Sequence, residues 1–379
     1  MAQIIFWSST ALFFYVYVGY PLIIFMIGRV YGKPVFRAKF EPTVSIIITA
    51  YNEEKSIRSK IENTLRINYP NERLEILVAS DGSTDNTDAI VEEYCEMNVR
   101  LFRQEGRVGK TTTQNKAVEQ ACGEIILFSD ATTMYQPDVL RAILPNFADL
   151  SVGCVAGKLI YVNHSNSGVG KGAKSYWSYE TLLKESESKA CSLIGVSGCL
   201  YAVRKSVYVP MYPEACSDFL ICTLIYRLGF RSVYEPSAIC TEETNRRTDK
   251  EFQMRVRIIA QTFTDLWRNR DMLNPLRTGL FAVQLISHKL LRYLVPVFLL
   301  TIFISTGILA FDSVLFAMIF ILQIIFYSIA LLTWVLESRN LKLGILTIPL
   351  YFVLTNLASA IGFYKFLRGE HFAQWEPIR

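Results

Sequence analysis

The sequence predicts an α/β fold, a mostly parallel sheet covered by helices and carried between segments that cross a membrane. Three observations support that expectation. The 379 residues are 51% hydrophobic with a mean hydropathy of +0.26, too apolar for an ordinary soluble protein, so part of the chain belongs in lipid. The apolarity is concentrated at the ends: no charge occurs from Met1 to Gly28, Tyr293 to Phe311, Ser313 to Leu336 or Leu343 to Tyr364. Each run approaches or exceeds the roughly 20 residues that span a bilayer core. Between the ends, apolar β-rich runs alternate with helical stretches.

Residues 1–30 form the first element. They lack a basic leader and a clean cleavage site, and read as a retained transmembrane anchor and not a signal peptide. Basic residues follow it, from Arg29 to Lys39. Others precede the second run (His288, Lys289, Arg292) and follow the third (Arg339, Lys342). By the positive-inside rule these flanks place the middle of the chain on the cytoplasmic face of the cell membrane. Residues 274–379 are expected to hold an interfacial helix, "LRTGLFAVQLISHKLLRYL", and then multi-pass spans. The last run carries Pro349, Asn356 and Ser359 and is followed by Lys365 and Arg368, so it reads either as an interfacial or re-entrant segment or as a span with an exceptional tail.

The middle domain, residues 40–270, starts with "VSIIITAY", followed by helix-like Ser56 to Arg66. Then come "LEILVAS" with Thr87 to Glu96, "VRLF" with Lys110 to Ala121, and "EIILFS". Near-continuous apolar strands separated by helices imply a buried, Rossmann-like nucleotide-binding sheet. In such sheets ligands bind at the carboxyl ends of the strands, and the polar residues cluster there: Asn52 and Glu53, Asp81 to Asp85, Gly106 to Lys110, and Asp130. Helix capping explains Asp85 and Asn86, but not all four strand ends.

Several function classes are excluded. "GRVGKTT" is not a phosphate loop, because Gln104 stands where that motif needs glycine. The net charge of +5 is partly explained by the membrane flanks and forms no basic stripe, so no nucleic-acid partner is expected. The eight cysteines form no CxxC pair and read as free thiols. A transporter is disfavoured because the apolar runs contain no ionisable residue.

Transfer of a sugar from a nucleoside diphosphate needs a cradle for base and ribose, charge neutralisation on the departing diphosphate, and one carboxylate to accept the acceptor's proton. From Pro42 to about Trp267 the order of motifs resembles the inverting, membrane-associated family-2 glycosyltransferases of the GT-A fold, of the polysaccharide or glycolipid synthase type. "TAYNEE" matches the family's first-strand loop, with Ala50 in place of its usual proline. The resemblance implies that Tyr51, Glu53 and the Asp81 of "SDGSTD" hold uracil and ribose. It places Arg107, Lys110 and Asn115 of "EGRVGKTTTQNKA" in a nucleotide-facing loop.

"SDAT" occupies the place of the metal-binding DxD motif, with Asp130 as its first acid and Thr132 in place of the second. A neutral hydroxyl is a weaker ligand than a carboxylate for a hard cation, so Mg2+ or Mn2+ is expected to be held chiefly by Asp130, the diphosphate and water. "ACSDF" resembles the family's base motif, with Ser217 in place of its first acid, which makes Asp218 the catalytic base. "GCLYAVRK" resembles the segment lining the acceptor side. Long polymer synthases of the family carry QxxRW. Here Gln253, Arg255 and Arg257 stand nearby without a tryptophan in register, and the two arginines are assigned to the diphosphate.

The expectation is thus an enzyme that transfers a sugar from a UDP-sugar to a lipid-linked or polysaccharide acceptor at the membrane. The alternative is a catalytically inactive nucleotide-sugar-binding subunit of a polysaccharide synthesis or export complex. Thr132 and Ser217 favour that alternative, whereas Asp81, Asp130 and Asp218 argue against it.

Overall fold

The computed structural model describes residues 1–162, 168–243, 248–337, 344–370 and 372. The basic flank at Arg339 and Lys342, and the terminal motif beyond Glu370 apart from Phe372, lie outside them. The described chain divides into two compact units. One is drawn from Met1–Met26, Asn163–Leu183 and Arg247–Glu370, the other from Ile27–Val162 and Lys184–Arg246.

The second unit is built on one eight-stranded sheet. Its strands are β1 (Val44–Ala50), β2 (Leu74–Ser80), β3 (Val99–Arg103), β4 (Ile125–Asp130), β5 (Met134–Tyr135), β6 (Val152–Val162), β7 (Tyr201–Arg204) and β8 (Arg231–Glu243). They lie in the order β3-β2-β1-β4-β7-β6-β8-β5. The half containing β3, β2, β1 and β4 is parallel, and β7 enters antiparallel to both β4 and β6. All seven residues of β1 are buried, as an apolar run covered by helices on both faces requires. One face packs Ile46, Ile48, Ile76 and Leu127 against Ile57 and Ile61. The other packs Ile47, Leu77 and Phe128 against Ala117 and Leu220. Burying each such side chain contributes roughly 1.5–3 kcal/mol.

The chain leaves β1 towards β2 and β3, then returns to the opposite side of β1 with β4. That reversal is a topological switch point, where the loops following β1 and β4 diverge and leave a crevice. Expected helices recur as Ile57–Leu65, Thr87–Glu92 and Lys110–Gln120. The second is shorter than Thr87 to Glu96. It gives way to a tight turn at Cys95–Met97, after which Asn98 adopts a left-handed φ of 62° and donates its side-chain amide to the Leu74 carbonyl.

The first unit is helical. Three of its helices among the described residues are long and apolar enough to cross a membrane: Ala2–Val30, Val314–Leu336 and Thr347–Leu367. The pair Leu280–Tyr293 and Val295–Leu309, bent by 54°, passes the same test only when taken together. Of the two sequence readings for the last run, the geometry is that of a continuous helix. Pro349 falls in its first turn, where no intrahelical amide is lost. Asn356 and Ser359 return their side-chain donors to the Phe352 and Thr355 carbonyls. The helix Thr248–Arg268 packs Val256, Ile259 and Phe263 around Ala358, which places it with the apolar helices. Glu180 is buried here in an ion cluster with His288 at 3.5 Å and Arg292 at 2.5 Å.

Candidate active site

The carboxyl ends of β1 and β2 are stitched together by their loops. Asn52, at a φ of 52°, receives the Thr84 amide on its side-chain oxygen at 2.7 Å, and its own amide donates to Ser83. The Glu53 amide donates to Thr87 Oγ1 at 2.7 Å, and the Glu54 amide to Asp85. Asp85 also accepts the Thr87 amide and so serves the helix start, whereas the Asn86 side chain makes no capping bond.

Asp81 follows directly and is completely buried. Its Oδ1 accepts the Val108 amide at 2.9 Å and the Thr113 hydroxyl at 2.8 Å, and the Gly109 amide lies 3.0 Å from Oδ2. This carboxylate therefore pins the Gly106–Lys110 loop and the start of the helix Lys110–Gln120. Gly82 is needed beside it: at φ +71° it lies so close to Gly106 that a Cβ would stand 2.5 Å from the Gly106 carbonyl. Arg107 lies over the Tyr51 ring, 4.1 Å from its centroid, a cation–π arrangement that rigidifies both side chains.

The loop delivers Lys110 to the crevice, where its ammonium pairs with Asp130 Oδ1 at the end of β4. Burial opposes that charge, but the Asp130 carboxylate outweighs it and holds Lys110 above the ordinary lysine range. Asp130 and Lys110 keep 32% and 25% of their side chains exposed, so the pair remains open to a ligand.

Asp218 reaches the same place from the first turn of the helix Ser217–Arg227. Thr111 donates to the Ala215 carbonyl at 2.9 Å, and the Asn115 amide to that of Met211 at 2.6 Å, tying the two helices together. Asn115 is thus an anchor of the segment that precedes Asp218. A Cβ on Gly198 would stand 3.4 Å from Lys110 Nζ and 3.5 Å from Asp218 Oδ2, so both groups converge on this glycine of "GCLYAVRK". Cys216 donates its thiol to Asp218 Oδ1 at 2.9 Å.

Two groups absent from the sequence-based set belong to this site. Thr132 donates to Glu242 of β8 at 2.9 Å. Burial and then the Asp130 charge hold the Glu242 carboxyl above its usual range. No local signal announces this residue, 110 positions from Thr132. Beneath the turn, Lys60 is completely buried. Its ammonium donates to the Thr133 carbonyl at 2.7 Å and lies 3.5 Å from the centroid of the Tyr135 ring. Burial pushes its pKa down to about 7. Its spacing with Ile57, Ile61 and Thr64 on one helical face was the legible signal.

Arg255 and Arg257 lie on the helix Thr248–Arg268 of the helical unit. There Arg255 donates to Glu251 at 2.7 Å and to the Tyr351 hydroxyl at 2.6 Å.

The described residues contain no group of three or more His, Cys, Asp or Glu able to hold an ion alone. Asp130 presents carboxylate oxygens of the hard type that Mg2+ and Mn2+ accept once diphosphate oxygens complete the shell. The residues therefore fit such an ion when a nucleotide sugar is bound.

Residues 45–209 match the family model "Glycosyl transferase family 2". The chain is 27% identical over 235 residues to poly-beta-1,6-N-acetyl-D-glucosamine synthase of Staphylococcus aureus (strain COL), covering 60% of this chain and 52% of that one. It is 26% identical over 214 residues to the probable glycosyltransferase YdaM of Bacillus subtilis (strain 168), covering 53% and 51%. The match thus spans about half the length of these curated relatives. Among solved structures, a mannosyltransferase from Pyrobaculum calidifontis in complex with GDP-Man and Mn2+ aligns over 98% of this chain and 100% of its own, with a TM-score of 0.74 at 22% identity. Sheet order and the likeness to that solved structure show the GT-A fold, and residues 45–209 are similar to glycosyltransferase family 2.

Proposed function

We propose that the protein is an inverting glycosyltransferase that moves a sugar from a UDP-sugar to a lipid-linked or polysaccharide acceptor at the cytoplasmic face of a cell membrane. The observation that carries this reading is the convergence of Lys110 and Asp218 on Gly198, with Asp130 paired to the same Lys110. On this reading Lys110 neutralises phosphate charge, Asp130 binds the cation and Asp218 accepts the proton.

Asp218 takes the proton of the acceptor hydroxyl as its oxygen attacks the anomeric carbon. The bond from that carbon to the diphosphate breaks, and the electron pair leaves with UDP. Attack opposite the departing group inverts the centre. Lys110 and Arg107 hold the leaving phosphates, while Tyr51 and Glu53 face base and ribose. Asp81 keeps the Gly106–Lys110 loop in place through its three donors. A bound Mg2+ or Mn2+ supplies charge neutralisation on the diphosphate. Arg255 and Arg257 are assigned to the diphosphate in the assembled enzyme, and the domain boundaries 1–30, 40–270 and 274–379 remain our division of the chain by role. The apolar helices support a site of action at a membrane.

The test is UDP release by detergent-purified protein across a panel of UDP-sugars, with membrane lipid as acceptor, with and without Mg2+ or Mn2+. The expected result is release with one donor, lost in Asp218→Asn while UDP still binds. Protein that binds UDP yet turns over no donor would instead support a nucleotide-sugar-binding subunit.

A further inference from the structure

Thr132 stands where the family resemblance expects a second acid, yet a carboxylate reaches the same turn from a different strand. β5 pairs antiparallel with β8, Met134 opposite Thr241 and Tyr135 opposite Cys240. Carrying that register one step outward sets Glu242 across from Thr133, beside the turn that starts at Asp130. There the exposed Thr132 hydroxyl donates to Glu242 Oε1 at 2.9 Å. Ligating carboxylates are commonly oriented by such a donor. The bond engages only one oxygen and leaves the other lone pairs of the carboxylate to a ligand.

The charge pattern points the same way. Asp130, Glu53 and Glu242 are close enough to interact electrostatically, with Lys110 as the facing cation. These carboxylates, with Asp218 also facing Lys110, gather negative charge where a nucleoside diphosphate would add more. A divalent cation resolves that conflict. Thr132 alone would give it a single weak neutral ligand.

We infer that Glu242 supplies the second protein carboxylate of the donor's divalent cation site, replacing from β8 the acid that position 132 lacks, with the Thr132 hydroxyl orienting it. This rests on the reading of Asp130 as a cation ligand. The DxD pattern would then be assembled in space from two strands. The other role open to Glu242, pinning β8 to the turn through Thr132 alone, predicts a different response to substitution.

The experiment is Mn2+ binding followed by electron paramagnetic resonance on the detergent-purified full chain, with UDP or GDP present. Nucleotide affinity in EDTA serves as the control for folding. Glu242→Gln keeps the shape and the acceptor for Thr132 but removes the charge. It should weaken Mn2+ binding at least about tenfold, the lower end of what altering even an outer-shell partner does, without lowering nucleotide affinity in EDTA. Adding Thr132→Asp to Glu242→Gln should restore it.

Mn2+ affinity unchanged in Glu242→Gln but lost in Asp130→Asn would overturn the inference and leave the proposed function standing. Loss without rescue would also overturn it, because Glu242 would then act on the turn and not on the ion. Wild-type protein that binds no Mn2+ with either nucleotide would overturn this inference together with the cation reading of Asp130.

Discussion

The ends of β2 and β4 each present one aspartate, and the two are used in opposite ways. Asp81 is fully buried and accepts two backbone amides and a hydroxyl. Asp130 stays about one-third exposed and pairs with the Lys110 ammonium. Saturation by fixed donors makes a carboxylate part of the scaffold, because its charge is already answered by groups that cannot leave. Partial exposure and a displaceable partner leave a carboxylate available to a ligand. Two residues that look alike in sequence thus divide the site into a part that holds the loop and a part that meets the donor.

The sharpest way to break this comparison is to remove both carboxylates in turn. Asp81→Ala strips two buried donors and one half-buried donor of their acceptor, which should destabilise the sheet unit by about 3–5 kcal/mol, the scale for breaking a buried charged network. The melting temperature in detergent should fall by many degrees, and nucleotide binding should go with it. Asp130→Ala removes one half-buried pair with an ammonium and no backbone donor, and should shift melting by less. It should abolish any Mn2+ effect on nucleotide affinity and lower turnover by about 100-fold or more, the scale for losing one transition-state electrostatic group. Equal melting shifts for the two variants would sink the distinction.

The first half of this arrangement was legible and the second was not, for a physical reason. β1, β2 and β4 are buried on both faces, so their sequences are continuous apolar runs and their ends are marked by the first polar residue. Asp130 and Asp218 follow from those ends and from short motifs. Glu242 does not, because its place depends on how β8 pairs with a two-residue strand more than a hundred positions earlier. Nothing local encodes that register. The saturation of Asp81 was hidden in the same way, since it depends on the path of a loop and not on residue type. In the helical unit, hydropathy located the apolar helices, but Pro349 and Asn356 blurred the last one. Their compatibility with a continuous helix is a matter of position in the turn and of a return hydrogen bond.

Lys60 gives the smallest and most specific test of the open end. Its ammonium is buried under the β4–β5 turn, with the Thr133 carbonyl and the Tyr135 ring as partners. Its pKa is lowered from 10.5 to about 7, chiefly by burial. Below about pH 7 the amine is charged in both folded and unfolded chains, and the desolvation penalty is present in full. Between about pH 7 and 10.5 the unfolded chain binds the extra proton, so the Lys60 contribution to stability rises with pH, by on the order of a few kcal/mol across the window. Lys60→Met removes the titrating group while filling similar volume. The difference in melting temperature, wild type minus variant, should therefore be near its minimum at pH 6.5 and grow steadily towards pH 9.5. Turnover at neutral pH should change only a few-fold, because the methionine still fills the space beneath the turn that presents Asp130. A flat difference across that range would mean that Lys60 titrates as it does in the unfolded chain, and that the turn is held by packing without a buried, weakly basic amine beneath it.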